Sequence, residues 1–250
     1  MSAESSRPKD SEGPSVDTQT RHALKQDKFV ETTASGIDWL QSHRSNVIKL
    51  AALVVVVVAL VITGSVIYNS RSEQAQIAFG KAIDIYNTPL RQPGQPVAPN
   101  DDTYATAAER AKAANPLFVQ VADHYGWLKA GDNAQYFAGL TYLDLNQTAS
   151  AEKELQKAAG SSDKGLAALA KMALAGLYRQ TGRDSQAVDL YNQVIKNPTL
   201  TVPAASAQLQ MAQMYEATNP AEAKKIYAQI KDQNKDTAAG QIAAQKLAGK

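Results

Sequence analysis

Small and bulky apolar residues recur with a fixed period along the second half of the chain. A small residue stands three positions before a tyrosine; a second small residue follows about nine positions later, with a bulky one four beyond it. The copies are Gly139-Tyr142-Ala151-Leu155, Ala175-Tyr178-Ala187-Tyr191 and Ala212-Tyr215-Ala223-Tyr227, offset by 36 or 37 residues. Residues three and four apart share one helix face. Each copy therefore predicts two helices packed together, and the period is typical of a helix-turn-helix solenoid.

The same periodicity predicts where the helices of this array begin and end. Gly160, Gly182 and Asn197 fall where helices stop, and Pro203 and Pro220 fall where helices start. The predicted pairs are 133–145 with 149–159, 164–181 with 184–195 and 203–217 with 220–231, followed by a capping helix at 237–247. The repeat array with its capping helix is expected to occupy 132–250.

A long apolar run precedes the array. Residues 50–68 read LAALVVVVVALVITGSVIY without a charged residue, and Lys49 and Arg71 bracket them. At about 1.5 Å per residue, this run is long enough for a hydrocarbon core of about 30 Å. A core helix would be amphipathic, and a cleaved signal peptide has a shorter apolar run close to its start. We therefore predict an all-α chain with a single transmembrane helix at 47–69.

The charges flanking the run indicate its orientation. Five Lys or Arg lie between residues 21 and 49, and three lie between residues 71 and 91. This excess favours a cytoplasmic N-terminus and a repeat domain outside the cytoplasm. The inverted topology stays open because the difference is small.

Three further segments complete the predicted organisation. Residues 1–20 are almost devoid of apolar side chains and are expected to form a disordered tail. Residues 21–46 are expected to be an amphipathic juxtamembrane segment, either lying on the membrane or merely extending the span. Residues 70–131 are expected to form an atypical first helical repeat with a Pro-rich loop at 88–100. Within it, Pro116 either interrupts a helix or starts a second one.

The repeated positions resemble the tetratricopeptide repeat. The closest copy is Ala175-x2-Tyr178, Gly182, Ala187-x3-Tyr191 and then Pro198. The tryptophan usual near the start of such repeats is missing, because Gln135, Lys171 and Gln208 stand in that place. The resemblance implies a solenoid that binds other polypeptides.

The whole layout is similar to the YfgM-like ancillary subunits of the bacterial Sec translocon. The residues that carry this resemblance are Leu24-Lys25-x3-Phe29, Trp39-Leu40-x2-His43-Arg44, the apolar run, and Ala78-Phe79 with Ala82-x3-Tyr86. It implies a single-pass protein of the bacterial inner membrane with a periplasmic repeat domain. The implied partners are translocon subunits, periplasmic chaperones or exported chains.

Catalytic and metal-binding patterns are missing from the sequence. The chain has no cysteine and three histidines, none of which has a second ligand at suitable spacing. No phosphate loop, nucleophile elbow or metalloprotease motif is present. The formal net charge of +2 is spread along the chain, whereas nucleic-acid binding needs a concentrated basic face. We therefore expect no enzyme activity, no cofactor, no small-molecule substrate and no nucleic-acid partner.

A binding surface remains as the predicted site. The first helix of each pair lines the concave face in repeats of this kind, as the resemblance implies. The residues expected there are Tyr136, Leu140, Leu143, Met172, Arg179, Leu209, Gln213 and Glu216. An apolar strip with polar anchors would suit an extended polypeptide segment. The alternative interpretation is that the apolar members belong to the core between repeats.

Two functions stay open at this point. The first is a membrane-anchored interaction module associated with the Sec translocon or periplasmic chaperones during export. The second is a scaffold of a cell-envelope or division complex that has no role in export.

Overall fold

The computed structural model describes residues 43–92, 94 and 103–249. Within these residues the secondary structure is helical, with no strand. The predicted all-α fold class is confirmed. The chain divides into two compact units, Met1–Val66 and Ile67–Lys250.

The apolar run lies in the first long helix, α1 (Arg44–Asn87). This helix is long and apolar enough to cross a membrane by length and composition, and none of its most apolar stretch is buried. Its apolar side chains between Ile48 and Val66 are exposed, as a lipid-facing helix requires. The part of the atypical repeat predicted at 70–131 that precedes its Pro-rich loop belongs to this same helix. The tail predicted at 1–20 and nearly all of the segment predicted at 21–46 lie outside the described residues.

The second unit holds a row of shorter helices. They are α2 (Ala107–Tyr125), α3 (Lys129–Asp144), α4 (Thr148–Ala159), α5 (Lys164–Gln180), α6 (Asp184–Lys196), α7 (Ala204–Thr218), α8 (Pro220–Gln233) and α9 (Ala238–Leu247). Consecutive helices from α2 to α9 pack against each other, and α3 also contacts α5, as α7 contacts α9. Packing between near neighbours is the defining property of a solenoid.

The repeated small and bulky positions form the core. Ala151, Leu155, Ala187 and Tyr191 are buried in a central cluster that α4, α5, α6 and α7 share. Ala223 and Tyr227 are buried in a second cluster with Ala243 of α9, so α9 covers the face of the last pair. Burial of these side chains accounts for the repeat period.

The helices that precede the first pair pack differently, through aromatic side chains that α1, α2 and α3 share. Phe118 of α2 is fully buried and stacks on Phe137 of α3, with ring centroids 5.3 Å apart. Phe79 and Tyr86 of α1 contact the same two rings at 5.4–6.0 Å. The residues of α1 beyond the apolar run therefore belong to the repeat domain.

Pro116 neither interrupts α2 nor starts a new helix. The helix runs from Ala107 to Tyr125 with Pro116 inside it. Pro116 is exposed, whereas Ala114 and Phe118 on the other face are buried. Tertiary packing of that face holds the helix together although Pro116 cannot donate a backbone hydrogen bond.

The turns inside the pairs explain the change of period. Asn146 and Gly182 occupy equivalent positions with φ of 57° and 70°, in the left-handed region that favours asparagine and glycine. The third pair turns at Asn219 alone, whose side chain caps α8 by accepting a hydrogen bond from the N–H of Glu222. Because of this shorter turn, the third copy has one residue fewer between its tyrosine, Tyr215, and its second small residue, Ala223, than the first two copies have.

Candidate functional site

The predicted surface residues all lie on the first helix of a pair. Tyr136, Leu140 and Leu143 lie on α3, Met172 and Arg179 on α5, and Leu209, Gln213 and Glu216 on α7. These helices begin after short connections, and α5 is capped by the Asp163 carboxylate, which accepts from the N–H groups of Gly165 and Leu166 at 2.9 and 3.1 Å.

The apolar members of this set are half-buried. Tyr136, Leu140, Leu143 and Met172 pack against the central core cluster, and Leu209 packs against the cluster of the last pair. These side chains therefore support the repeats and expose only part of their surface. Any partner touching them would meet the edges of core side chains.

The repeated tyrosines differ in depth. Tyr178 is buried, while Tyr142 and Tyr215 are half-buried and pack against the central core cluster. The Tyr178 hydroxyl donates to the Glu152 carboxylate at 3.1 Å. Arg183 donates to the same oxygen at 2.9 Å, and its guanidinium lies 4.2 Å from the centroid of the Tyr178 ring. This network joins the first and second pairs and is structural.

The polar members are brought together at one place. Arg179, Gln213 and Glu216 line an open depression of about 520 Å³, together with Asp184, Met214 and Lys246. The depression lies where α5, α6, α7 and α9 meet. Sequence reasoning missed Lys246 because it lies on α9, about 30 residues from Glu216 along the chain.

Glu216 is held by two donors in this depression. The Tyr227 hydroxyl donates to its carboxylate at 2.6 Å, and Lys246 Nζ lies 2.9 Å from the same oxygen. The hydrogen bond from Tyr227 lowers the pKa of Glu216 most, and the hydrogen bond from Lys246 lowers it further. The pKa of the Tyr227 hydroxyl is raised by burial and by the neighbouring carboxylate, so Tyr227 stays protonated and keeps donating.

Arg179 supplies a cation at the rim of the same depression. It is exposed, and within the described part of the chain no carboxylate pairs with it. A guanidinium can bind a carboxylate or a backbone carbonyl of a partner through two parallel hydrogen bonds. The depression thus holds a carboxylate with two donors, Glu216, beside Arg179 and Asp184, which take part in none of the ion pairs of the described residues.

A second polar cluster lies beside the aromatic core that α1, α2 and α3 share. The Arg110 guanidinium lies 5.2 Å from the centroid of the Tyr86 ring and donates to the carbonyl of Thr88 at 3.0 Å. Its Nε is buried and has no hydrogen-bond partner among the residues that the structure describes. Burial raises the pKa of Asp144 on α3, and Arg110 opposes that rise. Burial also raises the pKa of the Tyr86 hydroxyl, with a contribution from Asp144.

Metal ligands do not cluster in the described part of the chain. No group of three His, Cys, Asp or Glu side chains there could hold an ion. His124 Nδ1 lies 2.9 Å from the carbonyl oxygen of Gln120, one turn earlier on its own helix. The exposed His124 thus makes a local helical contact.

Comparison with known proteins identifies the repeat type. The family model described as Tetratricopeptide repeat matches residues 169–199 and 206–237. These two stretches contain α6 and α8 with most of α5 and α7. A search of the curated proteins and a search of the solved structures each gave no significant match. The match supports a tetratricopeptide repeat protein, and repeats of this type form protein-interaction modules rather than typical enzymes. The part of the second unit that the model matches, within residues 169–237, is therefore a helical repeat region of the tetratricopeptide type.

Proposed function

We propose that this protein is a membrane-anchored interaction module of the bacterial inner membrane. In this proposal residues 47–69 span the bilayer, the N-terminus is cytoplasmic and the repeat domain is periplasmic. The module associates with subunits of the Sec translocon, with periplasmic chaperones or with exported chains.

One observation carries the proposal. An exposed apolar helix that suits a bilayer continues directly into the first aromatic core of a tetratricopeptide-type array. Such a chain keeps a protein-binding surface next to the membrane. The translocon as partner rests on the resemblance of the juxtamembrane and span residues to translocon-associated proteins.

The proposed binding surface is the set of eight residues on α3, α5 and α7. Its polar end, Arg179 with Gln213 and Glu216, offers hydrogen bonds to an extended polypeptide, and its apolar end offers the exposed edges of Tyr136 and Met172. An extended segment needs both kinds of contact, because main-chain groups must be paired and apolar side chains must be buried.

The topology is tested first. The protein carries a tag after its last helix. Protease is added to cells whose outer membrane has been permeabilised and, separately, to everted vesicles of the inner membrane. Digestion in the permeabilised cells and protection in the vesicles are expected. The opposite pattern would place the repeats in the cytoplasm and contradict the periplasmic part of the proposal.

The partner is tested by purifying the tagged full-length protein from native membranes in mild detergent. Translocon subunits in stoichiometric yield are expected. Recovery of division or envelope-assembly proteins in their place would favour the scaffold function.

A charge-reversal pair tests the surface itself. Arg179→Glu places a carboxylate in the lining of the depression. Lys224→Glu makes the same reversal of charge at an exposed position of α8 that lies outside the proposed surface. Partner recovery should fall for Arg179→Glu and stay unchanged for Lys224→Glu, with equal melting temperatures. Equal recovery for both variants would remove Arg179 from the surface.

A further inference from the structure

The turn between α2 and α3 presents a tryptophan to solvent. Trp127 is 61 % exposed. Its ring packs edge-on against Tyr68 of α1, with centroids 5.8 Å apart and an interplanar angle of 61°. Tyr68 is itself 47 % exposed, so the two rings form one accessible aromatic pair. A large exposed aromatic pair is uncommon on a small soluble domain and indicates a contact surface.

The turn that carries Trp127 is closely packed. The next residue, Leu128, is buried against Ala75 of α1, and its N–H donates to the carbonyl of Tyr125 at 2.8 Å. The backbone at Gly131 passes so close to the same carbonyl that a Cβ there would lie 2.0 Å from its oxygen. The backbone on both sides of Trp127 is therefore anchored, and the indole lies beside Tyr68.

Tyr68 has a defined place in the sequence. It is the last residue of the apolar run 50–68, and the next charged residue, Arg71, follows three positions later. If the run spans the bilayer, Tyr68 lies where hydrocarbon gives way to headgroups, the depth that Tyr and Trp prefer. A ring in contact with Tyr68 shares that depth within a few ångströms.

We propose that Trp127 is inserted in the membrane interface and forms, with Tyr68, a second attachment of the repeat domain to the bilayer. The occupant of this surface is the headgroup region of the leaflet in which the span ends. Exposed Lys129 follows Trp127 closely, and exposed Arg71 follows Tyr68. Cations at these positions are suited to lipid phosphates. The inference rests on the proposed membrane span but holds for either orientation of it.

Tryptophan fluorescence tests this proposal directly, because the chain has only two tryptophans. Trp39→Phe leaves Trp127 as the sole tryptophan in the full-length protein, and excitation at the long-wavelength edge of its absorption band excludes the tyrosines. This variant is reconstituted into phosphatidylcholine–phosphatidylglycerol vesicles, and flotation with the vesicles is checked first. Its emission is then compared in vesicles whose acyl chains are brominated either near the headgroup or near the terminal methyl group.

A matched control places the same fluorophore on an exposed loop. Leu200, between α6 and α7, is fully exposed, so Leu200→Trp should not disturb the fold. It is made together with Trp39→Phe and Trp127→Phe. Its emission is expected to be that of a water-exposed indole, quenched by acrylamide and unaffected by bromine.

The expected result is a blue-shifted Trp127 emission that bromine near the headgroup quenches more strongly than bromine near the chain end, with little quenching by acrylamide. If the protein floats but Trp127 behaves like the Leu200→Trp control, the interfacial contact is refuted and the span stands. If the protein does not float, the span fails and the interfacial contact fails with it. Strongest quenching by bromine near the chain end would also refute an interfacial position.

Discussion

The contact between Gly139 and Leu155 offers the sharpest test of how the repeats are held together. Gly139 lies on α3 at the small position of the first copy, and Leu155 lies on α4 at its bulky position. A Cβ added at Gly139 would lie 2.7 Å from both Cγ and Cδ2 of Leu155. Leu155 is fully buried, so its side chain has little room to move away.

Two opposing effects set the size of the change for Gly139→Ala. Replacing glycine by alanine inside a helix stabilises it by about 0.8–1.0 kcal/mol. Forcing an extra methyl group into a packed core destabilises by about 1–3 kcal/mol. The free energy of unfolding should therefore fall by about 0–2 kcal/mol in the wild-type background. In a Leu155→Ala background the overlap with Cγ and Cδ2 is gone and only the 3.3 Å approach to the backbone nitrogen of residue 155 remains. The same change should then raise that free energy by up to about 1 kcal/mol.

The assay is urea unfolding of the full-length protein in mild detergent, followed by far-ultraviolet circular dichroism. Wild type, Gly139→Ala, Leu155→Ala and the double variant form one thermodynamic cycle. Gly176→Ala on α5 is the matched control, because a Cβ there meets no atom within 4 Å and should only stabilise. If Gly139→Ala were as stabilising in the wild type as in the Leu155→Ala background, the close packing of these helices would be refuted.

Three further substitutions test the aromatic core, the ion-paired carboxylate of Glu216 and the half-buried carboxylate of Asp144. Phe118→Ala should lower the free energy of unfolding by about 3–5 kcal/mol in the same urea assay, because the ring is fully buried; a loss below about 1 kcal/mol would contradict that packing. Glu216→Gln should weaken acid destabilisation. Because the pKa of Glu216 is lower in the folded state, its ionised carboxylate stabilises the fold above the unfolded pKa of about 4.3, and this stabilisation is lost as the pH falls through the lowered pKa. An unchanged dependence of the melting temperature on pH would refute this. Asp144→Asn should raise the melting temperature at pH 7, because a raised pKa means that ionisation is disfavoured in the folded state. That gain should vanish at a pH where Asp144 is protonated, and a loss at pH 7 would contradict it.

Most of the helical array could be predicted from local patterns. The positions of Gly139 and Leu155, repeated as Ala175 and Tyr191, already specify a helix pair, because spacing along a helix determines which residues share a face. Turn residues such as Gly182 are equally local, since they need a left-handed backbone that few residue types tolerate. The observed helices accordingly begin and end within a few residues of the predicted bounds.

Other features could not be predicted because they depend on contacts between distant residues. Pro116 should disrupt a helix by its own geometry, yet packing of Phe118 keeps α2 continuous. The apolar members of the predicted surface are half-buried because neighbouring pairs close over them. Which side of Met172 remains accessible depends on the next repeat and cannot be read from its spacing.

By itself, the sequence determined the all-α class, the repeat period and the apolar helix, because each depends on residues close together along the chain. The tertiary structure alone decided that α1 continues into the first aromatic core, that Lys246 meets Glu216, and that Trp127 meets Tyr68. These contacts join residues about 30 to 60 positions apart. Only the stacking of helix pairs, driven by burial of their apolar faces, brings such residues together.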